Sequence, residues 1–186
     1  MLYKKCATLS LFCGFVFLGG CGPSGQNDMS MKQPERPVEL DRLEPWIGRW
    51  SGTGEMKMIG GKVIRTTGSQ EYSWDLDRRV MLARESWNME GMGPMRGVGT
   101  YGYDPIKKAI VSSSFDDWGN VSGGKFKFDA GKNMWHMTYK GHSTMGATAG
   151  KGTIVMPDHD TINWTFEEYF GLIKVMDATG TSKRQP

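Results

Sequence analysis

The sequence predicts an all-β fold: a closed antiparallel up-and-down β-barrel of about ten strands, preceded by a short helix. Three observations predict it. From Gly48 onward, short runs rich in Val, Ile, Thr, Trp, Tyr and Phe alternate with turn clusters, and no later segment keeps a helical period for a dozen residues. The connectors are short and carry hairpin chemistry, as in Ile59-Gly60-Gly61, Asp104-Pro105 and Asp129-Ala130-Gly131. Successive hairpins build a meander, and closing it removes both exposed edges. A two-sheet sandwich is the alternative architecture.

The helix comes first. Leu40, Leu43 and Ile47 fall on one helical stripe, and Pro45 ends or bends it after one or two turns. Strands are then expected over residues 49–58, 62–74, 79–88, 96–103, 109–115, 121–128, 134–140, 147–156, 161–169 and 172–179. The 26 glycines are assigned mainly to the turns and to bends within strands. In the first strand Trp50, Gly52, Gly54, Met56 and Met58 share one face, while Ser51, Thr53, Glu55 and Lys57 share the other. Lys125 and Lys127 likewise alternate with Phe126 and Phe128. A charged outer face does not suit a barrel that spans lipid, so the outside is expected to be wet.

The N-terminus reads as a leader. Lys4 and Lys5 precede an apolar run over residues 9–18, which ends in Leu18-Gly19-Gly20-Cys21. That run is about half of the ~20 residues a membrane-spanning helix needs. Leu-Gly-Gly-Cys resembles the lipobox of bacterial lipoproteins, which implies cleavage before Cys21, acylation of its thiol and attachment to a membrane. Gly22 rather than Asp after the cysteine implies, in a two-membrane bacterium, sorting to the outer membrane facing the periplasm. The expected organisation is a signal peptide at 1–20, a flexible tether at 21–38 rich in Gly, Pro, Ser, Gln and Asn, and a barrel domain at 39–186.

Removing 20 of 186 residues leaves 166, which suits one domain with a real core. Cys6 and Cys13 leave with the leader and Cys21 is the anchor, so the domain has no disulfide, thiolate metal site or cysteine nucleophile. Two of the 23 basic residues leave and none of the 20 acidic ones, so the balance is close to neutral and nucleic acid is not an expected partner.

Gly48-x-Trp50-x-Gly52-x-Gly54 at the entry to the first strand resembles the calycin and lipocalin-like barrels, in which such a tryptophan closes one end. The chain resembles more closely the DUF1579 family, through the short helix with Gly48-x-Trp50, the Met-Gly-rich residues 89–95, and Gly97-Val98-Gly99-Thr100-Tyr101-Gly102-Tyr103-Asp104. The resemblance covers nearly all of residues 39–180; it implies the barrel and brings no established activity. Nitrobindin-type barrels share the glycine–tryptophan motif and hold haem through a late histidine. Here no histidine follows Thr161, and His159 sits in an Asp-His-Asp turn, so no cofactor is expected.

The candidate ligand-contacting residues are Trp50, Met56, Met58, Arg84, Trp164 and Glu168. Alternation places Trp164, Phe166 and Glu168 on one face, and Arg84 with Val80, Leu82 and Ser86 on another. Arg84 and Glu168 could pair in the lumen, meet a ligand's polar end, or both lie at the surface. Met89, Met92 and Met95 flank a Gly-Pro loop, where thioethers could fill core, line a pliable pocket or bind Cu(I). His136 and His142 are too far apart along a strand for a metal pair, and no metal site is expected. Asp116-Asp117 and Glu167-Glu168 point to opposite faces, and no nucleophile elbow or P-loop is present, so no catalytic residue is assigned. Two readings lead: a lipid-anchored barrel that binds a small apolar or amphipathic molecule in its lumen, or an envelope lipoprotein whose barrel is filled by its own side chains. An enzyme is the weakest reading.

Overall fold

The computed structural model describes residues 32–186; the expected signal peptide, Cys21 and most of the expected tether lie outside the described residues. Residues 35–186 form a compact unit of their own. It contains a 3-10 helix, Val38–Trp46, followed by β1 (Gly48–Met58), β2 (Val63–Asp75), β3 (Val80–Met89), β4 (Gly93–Asp104), β5 (Ala109–Asp116), β6 (Val121–Asp129), β7 (Met134–Ser143), β8 (Gly146–Asp158), β9 (Thr161–Phe170) and β10 (Ile173–Arg184). Each strand pairs antiparallel with its neighbours in sequence, and β1 pairs with β10. The barrel is therefore closed, and the sandwich alternative falls. Both the ladder and the buried core are drawn from residues 40–184, so this unit carries the interactions that fold it.

The largest departure in strand length is β10, which runs to Arg184 where 179 was expected. Gly180-Thr181-Ser182-Lys183-Arg184 reads as a polar tail, yet these residues supply the closing register, from Gly54↔Gly180 to Trp50↔Arg184. Ser182 is fully buried and donates from Oγ to Gln70 Oε1 at 2.9 Å. Arg184 lays its guanidinium over the Trp50 ring at 4.2 Å and donates to the carbonyls of Ile47 and Pro45, both at 2.7 Å.

The helix differs from expectation in period. Leu40, Leu43 and Trp46 are its buried residues, spaced by three, while Ile47 lies beyond its end. A 3-10 helix has three residues per turn and stacks i, i+3 and i+6 on one face, so Trp46 takes the place an α-helical stripe gives to Ile47. Pro45 has no N–H to extend an α-helical ladder and sits inside the tighter helix.

Trp46 plugs this end of the barrel. Its ring meets Tyr72, Tyr101, Phe126 and Trp135 edge-on, with centroids 5.8 to 6.3 Å away. Such edge-to-face pairs add about 0.5–1.5 kcal/mol each beyond the area they bury.

Inside the strands several glycines lie against large rings. Trp164 lies directly across from Gly180, which lies across from Gly54. A Cβ at Gly180 would stand 2.2 Å from the Trp164 ring, and one at Gly54 2.6 Å from it. Trp87 covers Gly68 and Gly52 in the same way, Phe166 covers Gly152, and Tyr139 covers Gly150. These glycines make room for rings laid flat on the wall. The hairpin glycines serve the turns.

The outer face is wet. Arg65–Glu55 and Lys151–Glu167 pair across strands on it, Arg96 pairs with Asp117 of the β5–β6 turn, and Lys125 and Lys127 are exposed. It has no unbroken apolar band.

Candidate functional site

The five hairpins that join β1 to β2, β3 to β4, β5 to β6, β7 to β8 and β9 to β10 lie at the end away from Trp46. Among the described residues no helix covers that end, the open end, and between it and the plug the lumen has two kinds of wall. One is aromatic: Trp87 and Trp164 meet edge to face at 5.9 Å, and Phe166 stacks on Trp164 at 5.4 Å. The other is small and polar. Gly97, Gly99, Ser112, Ser114, Ser122 and Gly124 alternate inward along β4, β5 and β6, and Ser114 and Ser122 join their hydroxyls at 2.7 Å. Large residues on one side and small ones on the other leave Glu85, Tyr101, Ser112, Ser114, Tyr139 and Glu168 only half-buried.

Glu85 and Glu168 give this lumen its electrostatics. Glu85 lies between Gln70 and Gly97 in the ladder, so its side chain shares the inward face with Ala83 and Trp87. The Trp87 Nε1 donates to Glu85 Oε2 at 3.2 Å. Desolvation raises the Glu85 carboxyl above the usual glutamate range, and the Trp87 hydrogen bond only partly offsets this. Burial, followed by the nearby Glu85 charge, raises the Tyr101 hydroxyl; Tyr72 is raised by burial, then Glu85, then Tyr101. Glu168 is raised by desolvation alone. It lies two strands from Tyr139 with Gly150 between, and Tyr139 leans over that glycine, so burial and then Glu168 raise the Tyr139 hydroxyl. Neither carboxylate has an ion pair among the described residues. Trp164 Nε1 is buried without a hydrogen-bond partner.

The candidate residues separate. Met56, Met58, Trp164 and Glu168 face the lumen. Trp50 faces inward but is sealed: it is 0% exposed, its Nε1 donates to the Trp46 carbonyl at 2.8 Å, and Arg184 covers its ring, so it serves the plug rather than a ligand. Arg84 is exposed on the outer face and does not meet Glu168; the inward residue beside it is Glu85. Arg84 instead lines an outer groove of about 890 Å3 across β1 to β5, with Arg49, Glu71, Arg96, Val98 and Phe115. The methionine trio is split, Met89 and Met95 inward and Met92 at a hairpin tip. His136 and His142 lie on the outer face, and His159 sits in an exposed turn where its carbonyl accepts from Arg184 Nε. Among the described residues no three His, Cys, Asp or Glu side chains gather as metal ligands would.

Sequence reasoning missed Glu85. A signal existed: Met81, Ala83, Glu85, Trp87 and Met89 form a more apolar alternate set than Val80, Leu82, Arg84, Ser86 and Asn88.

No protein-family model matches the chain, and no curated protein matches it by sequence. Solved structures do match in fold. The chain is similar to Rv2717c from M. tuberculosis, with a TM-score of 0.62 and 12% identity over 82% of this chain and 100% of that one. It is also similar to the S-type phycobiliprotein lyase CPES from Guillardia theta, with a TM-score of 0.51 and 11% identity over 81% of this chain and 94% of that one. At such identities the likeness is one of fold, and it agrees with a closed antiparallel barrel.

Proposed function

We propose that the chain is an exported, lipid-anchored barrel whose lumen takes up a small amphipathic molecule through its open end. One observation carries the ligand reading. Glu85 and Glu168 are held inward with raised pKa values and without a cationic partner. Even half-burial of a carboxyl without a cationic partner is costly, and a barrel that only needed filling would place apolar groups there. Acids with perturbed pKa values that face a cleft cluster at functional sites. The unpaired Trp164 N–H is a second unmet hydrogen bond in the same lumen.

The chemistry then describes the ligand. An apolar body packs on Trp87, Trp164, Phe166 and Met56. A head group that donates hydrogen bonds or carries positive charge meets Glu85 or Glu168. Native mass spectrometry of residues 35–186 purified without detergent tests this, with a retained small molecule expected; repeated empty spectra favour the packed, ligand-free barrel instead. Glu85→Gln lowers retention if the lumen holds the molecule.

The outer groove supports a second reading, because it exceeds the roughly 300 Å3 at which ligand pockets begin and carries exposed Val98 and Phe115. Arg84 and Glu85 both border this groove, whereas Glu168 does not, so Arg84→Ala and Glu168→Gln distinguish the two sites.

Export and anchoring rest on Lys4, Lys5 and the Leu18–Cys21 pattern. Cys21→Ser is expected to release the protein from membranes, and unchanged fractionation would remove that part of the reading. Gly48-x-Trp50 and residues 97–104 support a distant relation to the DUF1579 family. A member of that family whose barrel lacks the ring-on-glycine pairs would count against it.

A further inference from the structure

The open end of the barrel exposes apolar side chains on its hairpins. Ile59 follows β1 and is 64% exposed, Met92 precedes β4 at 44%, and Met145 precedes β8 at 78%. Leu172 and Ile173 lie at the start of β10 and are 99% and 61% exposed. Four of the five hairpins at this end therefore each present at least one large apolar group to water. The fifth carries Trp118, half-buried and anchored by its Nε1 to the Pro94 carbonyl at 3.0 Å.

Turn geometry keeps these groups outward. Gly60, Gly61, Gly91, Gly93, Gly146 and Gly171 have positive φ, and a Cβ at any of them would meet nothing within 4 Å. The tips project into open space, where a folded domain leaves large apolar groups at a cost unless something covers them. The plugged end also exposes Leu76 and Ile106. There they stand among Asp75, Asp77, Arg78, Lys107 and Lys108.

We propose that the open end docks on a lipid surface. Ten strands about 4.8 Å apart and tilted by about 40° enclose a rim roughly 20 Å across. The apolar tips stand around that rim on successive hairpins, and the Ile59 N–H donates to the Val175 carbonyl at 2.8 Å, so the β1–β2 and β9–β10 tips adjoin. A fluid bilayer receives a ring of projections around a mouth without a shape-matched surface and buries each to about 5–10 Å. Lysines flank the tips, with Lys57 and Lys62 beside Ile59 and Lys174 beside Ile173, where their stems can lie along the interface with their ammonium groups in water. Docking in this pose sets the mouth of the lumen against the membrane, so an amphipathic molecule passes between lipid and barrel without crossing water. The docking itself does not depend on a ligand in the lumen.

The test uses residues 35–186, the self-contained barrel without leader or anchor, and vesicles of phosphatidylcholine. The barrel is expected to sediment with vesicles and to remain bound at high salt, because the contact is apolar. The paired change Met145→Ser with Leu172→Ser is expected to lower partitioning by about tenfold or more. Leu76→Ser with Ile106→Ser, at the plugged end, leaves it unchanged. The unit has no cysteine of its own, so Leu172→Cys carries an environment-sensitive fluorophore at a single site; its emission shifts blue on vesicles, and that of Ile106→Cys does not. The proposal is overturned if the barrel does not sediment, if both ends contribute equally, or if the rim substitutions abolish self-association while vesicles have no effect. An empty lumen alongside vesicle binding would defeat the ligand reading and leave this one standing.

Discussion

Gly180→Ala tests the packing scheme of the barrel at one atom. The added Cβ would stand 2.2 Å from Trp164 Cζ2 and 2.5 Å from the Thr53 carbonyl oxygen. Carbon atoms rest about 3.5–4.0 Å apart, so the ring must retreat by more than about 1 Å. It has nowhere to go. Trp164 is 9% exposed, with Trp87 against it at 5.9 Å and Phe166 stacked on it at 5.4 Å. Overpacking of this kind costs about 1–3 kcal/mol. Strain against the Thr53 carbonyl, which belongs to the closing ladder, places the cost at the upper end. Alanine also removes some freedom from the unfolded chain, which returns about 0.4–1 kcal/mol. The net loss is therefore about 2 kcal/mol. For a domain of this size that lowers Tm by about 4–8 °C. The assay is thermal or urea unfolding of residues 35–186 followed by tryptophan fluorescence, beside Gly123→Ala as reference. Gly123 faces outward, with its nearest neighbour 3.6 Å from the added atom, so that change is expected to be nearly neutral. Equal midpoints for the two variants would refute the ring-on-glycine account.

Three further outcomes follow from the same contacts. Trp46→Ala removes a fully buried ring that touches four others, with an expected loss of about 3–5 kcal/mol in urea unfolding. Arg184→Ala frees the Trp50 ring and leaves the Ile47 and Pro45 carbonyls without a donor, so unfolding midpoints fall by the equivalent of about 1–3 kcal/mol. Glu85 and Glu168 have folded pKa values above the ordinary 4.5, so the folded state binds more protons than the unfolded one between that value and the raised ones. Their contribution to stability falls as pH rises through that window, whereas Asp104, Asp117, Asp158 and Glu167, all lowered, lose theirs as pH falls below the usual carboxylate range. Glu85→Gln is thus expected to stabilise the barrel at neutral pH and flatten the decline, and an unchanged profile of urea midpoint against pH would contradict the placement of that carboxyl.

The strand series was legible because turn residues and alternation are local signals. Gly60-Gly61, Asp104-Pro105 and Gly131 mark hairpins wherever the rest of the chain goes, and every expected strand is found within three residues of its expected bounds except at the end of β10. What is not local was harder to read. Residues 180–184 carry no apolar run, and they form a strand because β1 offers them an unpaired edge. The 3-10 period of the helix depends on Trp46 finding a cavity among four rings that come from β2, β4, β6 and β7.

The facing of β3 shows where a one-strand reading ends. Both of its alternate sets carry one charge, and although the set with Glu85 is the more apolar, a single strand does not fix which set turns inward. The ladder decides the facing. Trp87 faces Gly68, and a Cβ there would stand 2.6 Å from the indole, so only a glycine can accept this ring. Gly68 faces Gly52, which extends the same recess into β1. Once Trp87 is turned inward by that recess, the two-residue period turns Glu85 with it and sends Arg84 to water. The lumen therefore acquires its acid through a volume match two residues away. A larger residue at Gly68 should disturb the Glu85 pKa as well as stability, even though position 68 never touches the carboxylate.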